Sequence, residues 1–332
     1  MPKLGRIVNI ADGGRQRAII WEMSVDWETP TMLRTYRHPE DFERVSAFLV
    51  QTYQPSRQPS NWLQPRWEYM HYLCVPMFGM KADDLAKIGV WEDKGKIVGV
   101  VHFEDAYGQA YFQTHPDYPQ LKEEMLRFAE DRLAARGPDG TRSLDAYIND
   151  WDDELIAVAR SRGYRKKEDA AQYMSRLDPR DLPAVSVPEG FTLKSLADDN
   201  DLAKVARCLH RGFNHPGEPP EGGIETIRHL QTAPNFRKEL NVVVQSPAGD
   251  FVSYCGVWHE IANRFAMVEP VATDPEFRRM GLGKAAVLEA IRQAGQLGAT
   301  VAYVATDKPF YLAIGFRKIS ARHPWEKTFQ TM

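Results

Sequence analysis

The sequence predicts an α/β protein built from two tandem, related domains. Three observations carry that prediction. Short β-rich runs alternate with longer stretches whose apolar residues recur at helical spacing. The second half repeats the element order of the first, together with two short motifs. Between the halves, Asp178-Pro179-Arg180-Asp181-Leu182-Pro183 and Pro188-Glu189-Gly190 form a proline-rich break that reads as a linker. The chain then divides into a lead-in over 1–30, a first domain over 31–178, a linker over 179–190 and a second domain over 191–332.

The elements follow in order. Residues 1–30 read as extended, with a β-rich piece over 17–23. Residues 31–36 are a strand. A helix follows His38-Pro39-Glu40-Asp41, with Phe42, Val45, Phe48, Leu49 and Tyr53 along one face. Residues 54–61 are a loop rich in Pro, Ser and Gln, and 65–77 a second helix carrying Trp67, Met70, Leu73 and Cys74. The β-rich runs 86–92 and 97–103 flank a turn at Gly95 and make a hairpin. A strand over 111–114, a helix over 119–135, a strand over 143–148, a helix over 153–161 and a strand over 171–177 complete the first half. The second half reads as strand 191–196, helix 199–213, a Pro/Gly loop over 217–223 and helix 225–232. Hairpin 240–245/251–259, strand 265–273, helix 281–297, strand 300–306, a helical turn at 309–313 and a final strand at 316–319 follow.

The halves also align by motif. Thr114-His115-Pro116-Asp117-Tyr118 matches Thr273-Asp274-Pro275-Glu276-Phe277, and Arg162-Gly163-Tyr164-Arg165-Lys166 matches Ile314-Gly315-Phe316-Arg317-Lys318. The spacings between the paired matches differ only by a short insertion, which indicates duplication of a whole domain.

Composition narrows the function classes. Lys and Arg number 42 against 45 Asp and Glu, a formal net charge of −3 over 332 residues. No overall basic field exists to hold a phosphate polymer, so bulk nucleic-acid binding is disfavoured. Cys74, Cys208 and Cys255 are three, and far apart. A disulfide framework is not expected, and a reducing cytoplasm is the expected setting. No apolar run reaches membrane-spanning length and no secretory h-region follows Met1, so no membrane role is expected. His210, His215, His229 and His259 lack the spacing of a metal site, and no metal is expected.

Chemistry concentrates in Val268-Glu269-Pro270-Val271-Ala272-Thr273-Asp274-Pro275-Glu276-Phe277-Arg278-Arg279-Met280-Gly281-Leu282-Gly283-Lys284-Ala285. A strand leads through a turn with two arginines and two glycines into a long helix. Glycines let backbone amides approach a ligand, the helix start adds partial positive charge, and Arg278, Arg279 and Lys284 add full charges. Together they suit a pyrophosphate. The spacing is not that of a Walker loop. It is not the dinucleotide fingerprint either, since Ala286 stands at the third glycine position and no parallel βαβ pattern surrounds it.

Arg278-Arg279-Met280-Gly281-Leu282-Gly283 resembles motif A, [QR]-x-x-G-x-[GA], of the GCN5-related N-acetyltransferases (GNAT). Tyr311-Leu312-Ala313-Ile314-Gly315-Phe316 is similar to that superfamily's Y-x-x-x-G-F. The resemblance covers roughly residues 190–325, and the tandem arrangement is similar to that of mycothiol synthase. It implies that each half has a mixed, mostly antiparallel central sheet flanked by helices. It also implies acetyl-CoA as co-substrate, with residues 279–284 supplying amides to the pyrophosphate and the edge of Val271-Ala272-Thr273 pairing with the pantetheine arm. The cofactor-binding set then comprises Val271, Ala272, Thr273, Arg278, Arg279, Met280, Gly281, Leu282, Gly283, Lys284 and Ala285. Pro270, which cannot donate a ladder hydrogen bond, suits a bulge where strands splay. An amide near Val271 or Ala272 would stabilise the oxyanion, Tyr311 would protonate the leaving thiolate, and Glu269 would take the proton of the attacking amine.

The first half departs from this pattern. After Tyr118 it reads Pro119-Gln120-Leu121-Lys122-Glu123-Glu124, without Gly-x-Gly and with negative charge at the phosphate position. The tyrosine position falls at Val158 or Ala159. The expectation is a degenerate copy that packs against the second and shapes the acceptor pocket, with Trp62, Trp67, Tyr69, Tyr72 and Trp91 as core or pocket aromatics. The expected activity is N-acetylation of a small-molecule amine by a monomer or homodimer. The alternative is a non-catalytic acyl-CoA sensor or protein-binding module.

Overall fold

The computed structural model describes residues 31–54 and 61–329. The β-rich piece expected over 17–23 lies outside them.

The strands are β1 (Met32–Thr35), β2 (Gly89–Asp93), β3 (Lys96–His102), β4 (Gln109–Thr114), β5 (Ala135–Arg136), β6 (Arg142–Asn149), β7 (Arg165–Lys166), β8 (Gln172–Leu177), β9 (Thr192–Ser195), β10 (Asn241–Gln245), β11 (Phe251–Glu260), β12 (Phe265–Thr273), β13 (Val301–Val304) and β14 (Arg317–Phe329). The helices are α1 (Phe42–Thr52), α2 (Gln64–Tyr69), α3 (Val75–Met77), α4 (Ala82–Leu85), α5 (Lys122–Arg132), α6 (Asp153–Ser161), α7 (Leu202–Gly212), α8 (Gly223–Leu230), α9 (Leu282–Gln296) and α10 (Pro309–Ile314). A π-helical stretch, Met70–Cys74, joins α2 to α3.

The strands form one sheet in the order β1-β2-β3-β4-β6-β14-β8-β13-β12-β11-β10-β9, with β5 on β6 and β7 on β14. Only β4–β6 and β12–β13 pair in parallel; the rest is antiparallel. The mixed, mostly antiparallel α/β architecture expected for each half is the one observed.

The pairing crosses between the halves. β8, from the first, lies against β13 of the second, while β14, from the second, pairs Arg322–Phe329 with Asn149–Arg142 of β6. Each half therefore lends its last strand to the other. The expected final strand over 316–319 is only the start of β14. Pro324 and the charged residues Arg322, Glu326 and Lys327 hide the remainder, because they break the alternation of a half-buried strand. The helix expected over 119–135 is also corrected. Pro119–Leu121 is a 3-10 turn, α5 stops at Arg132, and Ala135–Arg136 pairs with β6.

Each half has its own core. Trp67, Trp91, Phe103, Met125 and Leu133 are fully buried in the first, and Val242, Cys255, Ala286, Ile291 and Ala302 in the second. A third cluster joins them, packing Leu63, Tyr69 and Leu73 against Leu230, Trp258, Phe265, Met267 and Tyr303. The buried Glu68 accepts the Asn235 amide (2.6 Å) and side chain (2.8 Å) across the same boundary.

The duplication is visible in backbone hydrogen bonds. His115 N donates to Val98 O as Asp274 N donates to Val252 O, and Tyr118 N to His115 O as Phe277 N to Asp274 O, each at 2.9 Å. Tyr164 N donates to Ala159 O (3.0 Å) as Phe316 N donates to Tyr311 O (3.1 Å). The residue at the Tyr311 position in the first half is therefore Ala159, one of the two positions expected.

Candidate active site

The site grows from the bulge in β12. Cys255 pairs with Val271 and Val257 with Val268, so Glu269 and Pro270 oppose the single residue Gly256. A Cβ on Gly256 would stand 2.8 Å from the Glu269 carbonyl oxygen, so the bulge requires glycine there. Nothing in the sequence pattern marks Gly256 for this role. On its other edge β12 pairs with β13 only from Phe265 to Met267. Beyond Met267 the two strands part, and the edge holding Val271, Ala272 and Thr273 lies unpaired on that side.

The turn after β12 is held from both sides. Asp274 accepts the Glu276 amide (3.0 Å) and binds Arg211 Nη2 (3.1 Å) and Nε. Burial pushes the Asp274 carboxyl up, but Arg211 and the Glu276 amide outweigh it and hold it below its ordinary value. Arg278 donates to the carbonyls of Thr273 (3.0 Å) and Gly212 (2.9 Å) and to Asn214 Oδ1 (2.8 Å). Its guanidinium thus ties the turn to the end of α7, a use that motif reading alone does not reveal. Arg211, Asp274 and Asn214 are the supports that the sequence reading missed; their pairing is made only by the fold.

Arg279 adopts φ 66° and Gly281 φ 81°, and both are exposed. No atom lies within 4 Å of where a Gly281 Cβ would be, so that face of the turn is open. Gly283 is packed: a Cβ there would meet Thr273 Oγ1 at 2.9 Å and the Phe310 ring at 3.4 Å. The amides of Leu282, Gly283 and Lys284 find no acceptor among the described residues, whereas Ala285 N donates to Gly281 O (3.0 Å). Leu282 and Ala285 turn their side chains into the core, while Met280 and Lys284 are exposed. Free amides at an open helix start, beside Arg279 and Lys284, fit a pyrophosphate.

In the first half the same place is closed. Leu121 N donates to Tyr118 O, Pro119 has no N–H, and Lys122 Nζ is held by Asp152 and Glu154, each at 2.7 Å. No cationic cradle forms.

Tyr311, in α10, is half-buried, with its ring on Phe310 and Phe316 (centroids 4.9 and 5.7 Å). Burial first, then Cys255 and Glu269, push its hydroxyl well above the ordinary tyrosine value, so it is a neutral proton donor at physiological pH. Glu269 Oε1 lies 3.6 Å from Arg66 Nη1 of α2, while Oε2 is buried with no donor among the described residues. Burial raises the Glu269 carboxyl and Glu104 adds to the rise; Arg66 and Arg322 oppose it.

A cavity of about 250 Å³ opens where the halves meet. Arg66, Trp62, Tyr111, Met267, Thr306 and Arg322 are among its lining. Of the aromatics expected in core or pocket, Trp62 reaches the cavity and Trp67 and Trp91 are core. Tyr69 is buried at the shared boundary, and Tyr72 stacks on His229 (5.4 Å). His210 and His215 stack on each other (5.1 Å) away from this cavity. Among the described residues no group of three or more His, Cys, Asp or Glu is placed to hold a metal, and no helix is long and apolar enough to cross a membrane.

The family model for the acetyltransferase (GNAT) family matches residues 213–318, a span that holds the bulge, the glycine turn and Tyr311. Residues 213–318 therefore match the GNAT family. That family is a family of enzymes. The tandem GNAT protein from the clavulanic acid biosynthesis pathway is similar in structure (TM-score 0.60, 14% identity), covering 91% of this chain and 100% of that one. So is a GCN5-related N-acetyltransferase from Sphaerobacter thermophilus (TM-score 0.56, 14% identity, 91% and 96% covered). A GNAT-family acetyltransferase from Colwellia psychrerythraea matches with TM-score 0.55 and 12% identity, covering 89% and 99%. At these identities the likeness is one of fold, and it extends the tandem GNAT fold over nearly the whole chain. No curated protein matches at the sequence level.

Proposed function

We propose that the protein transfers an acetyl group from acetyl-CoA to the amine of a small molecule, and that the reaction runs in the second half. The observation that carries this reading is the unpaired edge of β12 beyond Met267, lying between the open glycine turn, Glu269 and Tyr311. When bound, acetyl-CoA supplies the activated acyl carbonyl. The amides of Leu282, Gly283 and Lys284, with Arg279, hold the pyrophosphate. The edge of Val271-Ala272-Thr273 aligns the pantetheine arm as a further strand would be aligned. An amide near Val271 or Ala272 stabilises the developing oxyanion. Glu269 Oε2, buried without a donor, receives the proton of the amine directly or through water, and the neutral Tyr311 hydroxyl gives a proton to the leaving sulfur. The first half, lacking a phosphate cradle, supplies Arg66 and much of the wall of the acceptor cavity.

The test is Tyr311→Phe, with thiol release from acetyl-CoA as the assay. Turnover is expected to fall about 10²-fold or more, with acetyl-CoA affinity retained in calorimetry. A non-catalytic sensor would be indifferent to the change. Gly281→Glu sets bulk and negative charge against the phosphates and is expected to abolish acetyl-CoA binding. Unchanged affinity in that variant would remove the turn from the site.

A further inference from the structure

The acceptor cavity contains one cation that the reading above does not use. Arg322 reaches it from β14, the strand the second half lends to the first. Its Nε donates to Gln172 Oε1 (2.9 Å), and its guanidinium carbon lies 5.0 Å from the centroid of the Tyr111 ring. Nη1 and Nη2 have no acceptor among the described residues, and no carboxylate there lies within ion-pair distance. Burial, and then repulsion from Arg66, hold this guanidinium below its ordinary value, yet arginine stays protonated in proteins. Arg322 is half-buried, and a partly desolvated charge with no carboxylate at ion-pair distance is one that a ligand counter-charge would stabilise.

The other charges at the cavity are already matched. Arg66 binds Glu104 (2.6 Å) and faces Glu269, and Asp307 binds Lys318 (3.1 Å). The amides of Asn61 and Gln113 are spent as well: Asn61 is bound to Thr52 and Thr114, Gln113 to Trp62 and His102. Trp62 Nε1 and Arg66 Nε are also buried without an acceptor among the described residues, but of the two guanidinium groups at the cavity only Arg322 has no carboxylate within ion-pair distance there, and its outer edge is a planar fork suited to two oxygens of one group. The cavity also reaches Met267 and Arg66. Met267 stands two residues before Glu269 on β12, and Arg66 is the residue Glu269 touches.

We propose that the acceptor is a small amine bearing a carboxylate, an amino acid or short peptide by class, whose carboxylate docks on the Arg322 guanidinium while its amine faces Glu269. The inference rests on the acetyltransferase reading and specifies its substrate class. A cavity of about 250 Å³ suits a molecule of that size.

The experiment is an acceptor panel of amino acids and dipeptides, each paired with its C-terminal amide, read by thiol release from acetyl-CoA. At least one free acid is expected to exceed its amide tenfold or more in kcat/KM. Arg322→Gln is expected to raise the KM for that acid 10- to 100-fold, to change kcat by less than about threefold and to leave acetyl-CoA affinity unaltered in calorimetry. Gln172→Glu, which would supply an internal counter-charge to Arg322, is expected to raise the same KM, and it serves if Arg322→Gln does not fold. Equal use of acids and amides, a preference that survives both variants, or silence across the panel while acetyl-CoA binds would each overturn the proposal. If acetyl-CoA itself fails to bind, the parent reading falls, and this one with it.

Discussion

Glu269 illustrates how one side chain acquires its chemistry from neighbours far away in sequence. On an exposed strand its carboxyl would titrate in the ordinary range. Here burial raises it, and Arg66, brought in by α2 of the other half, limits the rise. A base must be ionised to act. The acid limb of the kcat/KM profile is therefore expected above the ordinary carboxylate range. Arg66→Met removes a charge that favours the ionised form, so that limb should move to still higher pH. Glu269→Gln should abolish the limb and lower kcat/KM about 10²- to 10⁴-fold. A pH–rate series on the three proteins checks all of this, and an acid limb that stays put in Arg66→Met would remove Glu269 from the role of base.

At the scale of elements, the glycine turn and the strand before it work as one unit. Arg211 and Arg278 pin the turn to α7, and Gly283 lets α9 press against Thr273 and Phe310. Gly283→Ala forces a contact closer than side chains tolerate, and Thr273 Oγ1, which is hydrogen-bonded to Ser253 Oγ (3.0 Å), has little freedom to move. The variant is expected to lose about 1–3 kcal/mol of stability in urea melts and to bind acetyl-CoA more weakly. The first half keeps the frame of the same unit, down to the hydrogen bond from His115 N to Val98 O. It lacks the groups proposed to act in the second half: Ala159 stands where the second half has Tyr311, and Lys122 is paired with Asp152 and Glu154.

For the whole molecule, exchange of the last strands makes the halves mutually dependent. Without β8, β13 loses its antiparallel neighbour, and without β14, β6 keeps only the two-residue β5 as one, so each half would expose a hydrogen-bonding edge that is interior in the whole sheet. Residues 31–178 or 191–332 expressed alone are expected to be aggregated or readily proteolysed. Co-expression of the two should restore a stable, acetyl-CoA-binding complex. Two separately soluble, protease-resistant halves would show that the exchange is not needed for stability.

The sequence by itself determined the order of elements, the duplication, and the turn from Arg278 to Lys284. These features are local: apolar periodicity, glycine and proline positions, and a short motif are all written within a few residues of one another. The missing tyrosine of the first half was legible to within one residue, Val158 or Ala159, and only the hydrogen bond from Tyr164 N to Ala159 O chose between them. The full length of β14 was not legible, because Pro324 and its charged neighbours give no alternation until β6 and β8 close around them. Only the tertiary structure decided that Arg66 stands against Glu269, that Gly256 faces the bulge, and that Arg322 enters a cavity between the halves with its outer donors unmatched. Such pairings depend on which chain segments the packing of two cores brings together, and charge and shape at that range leave no period in the sequence for a reader to find.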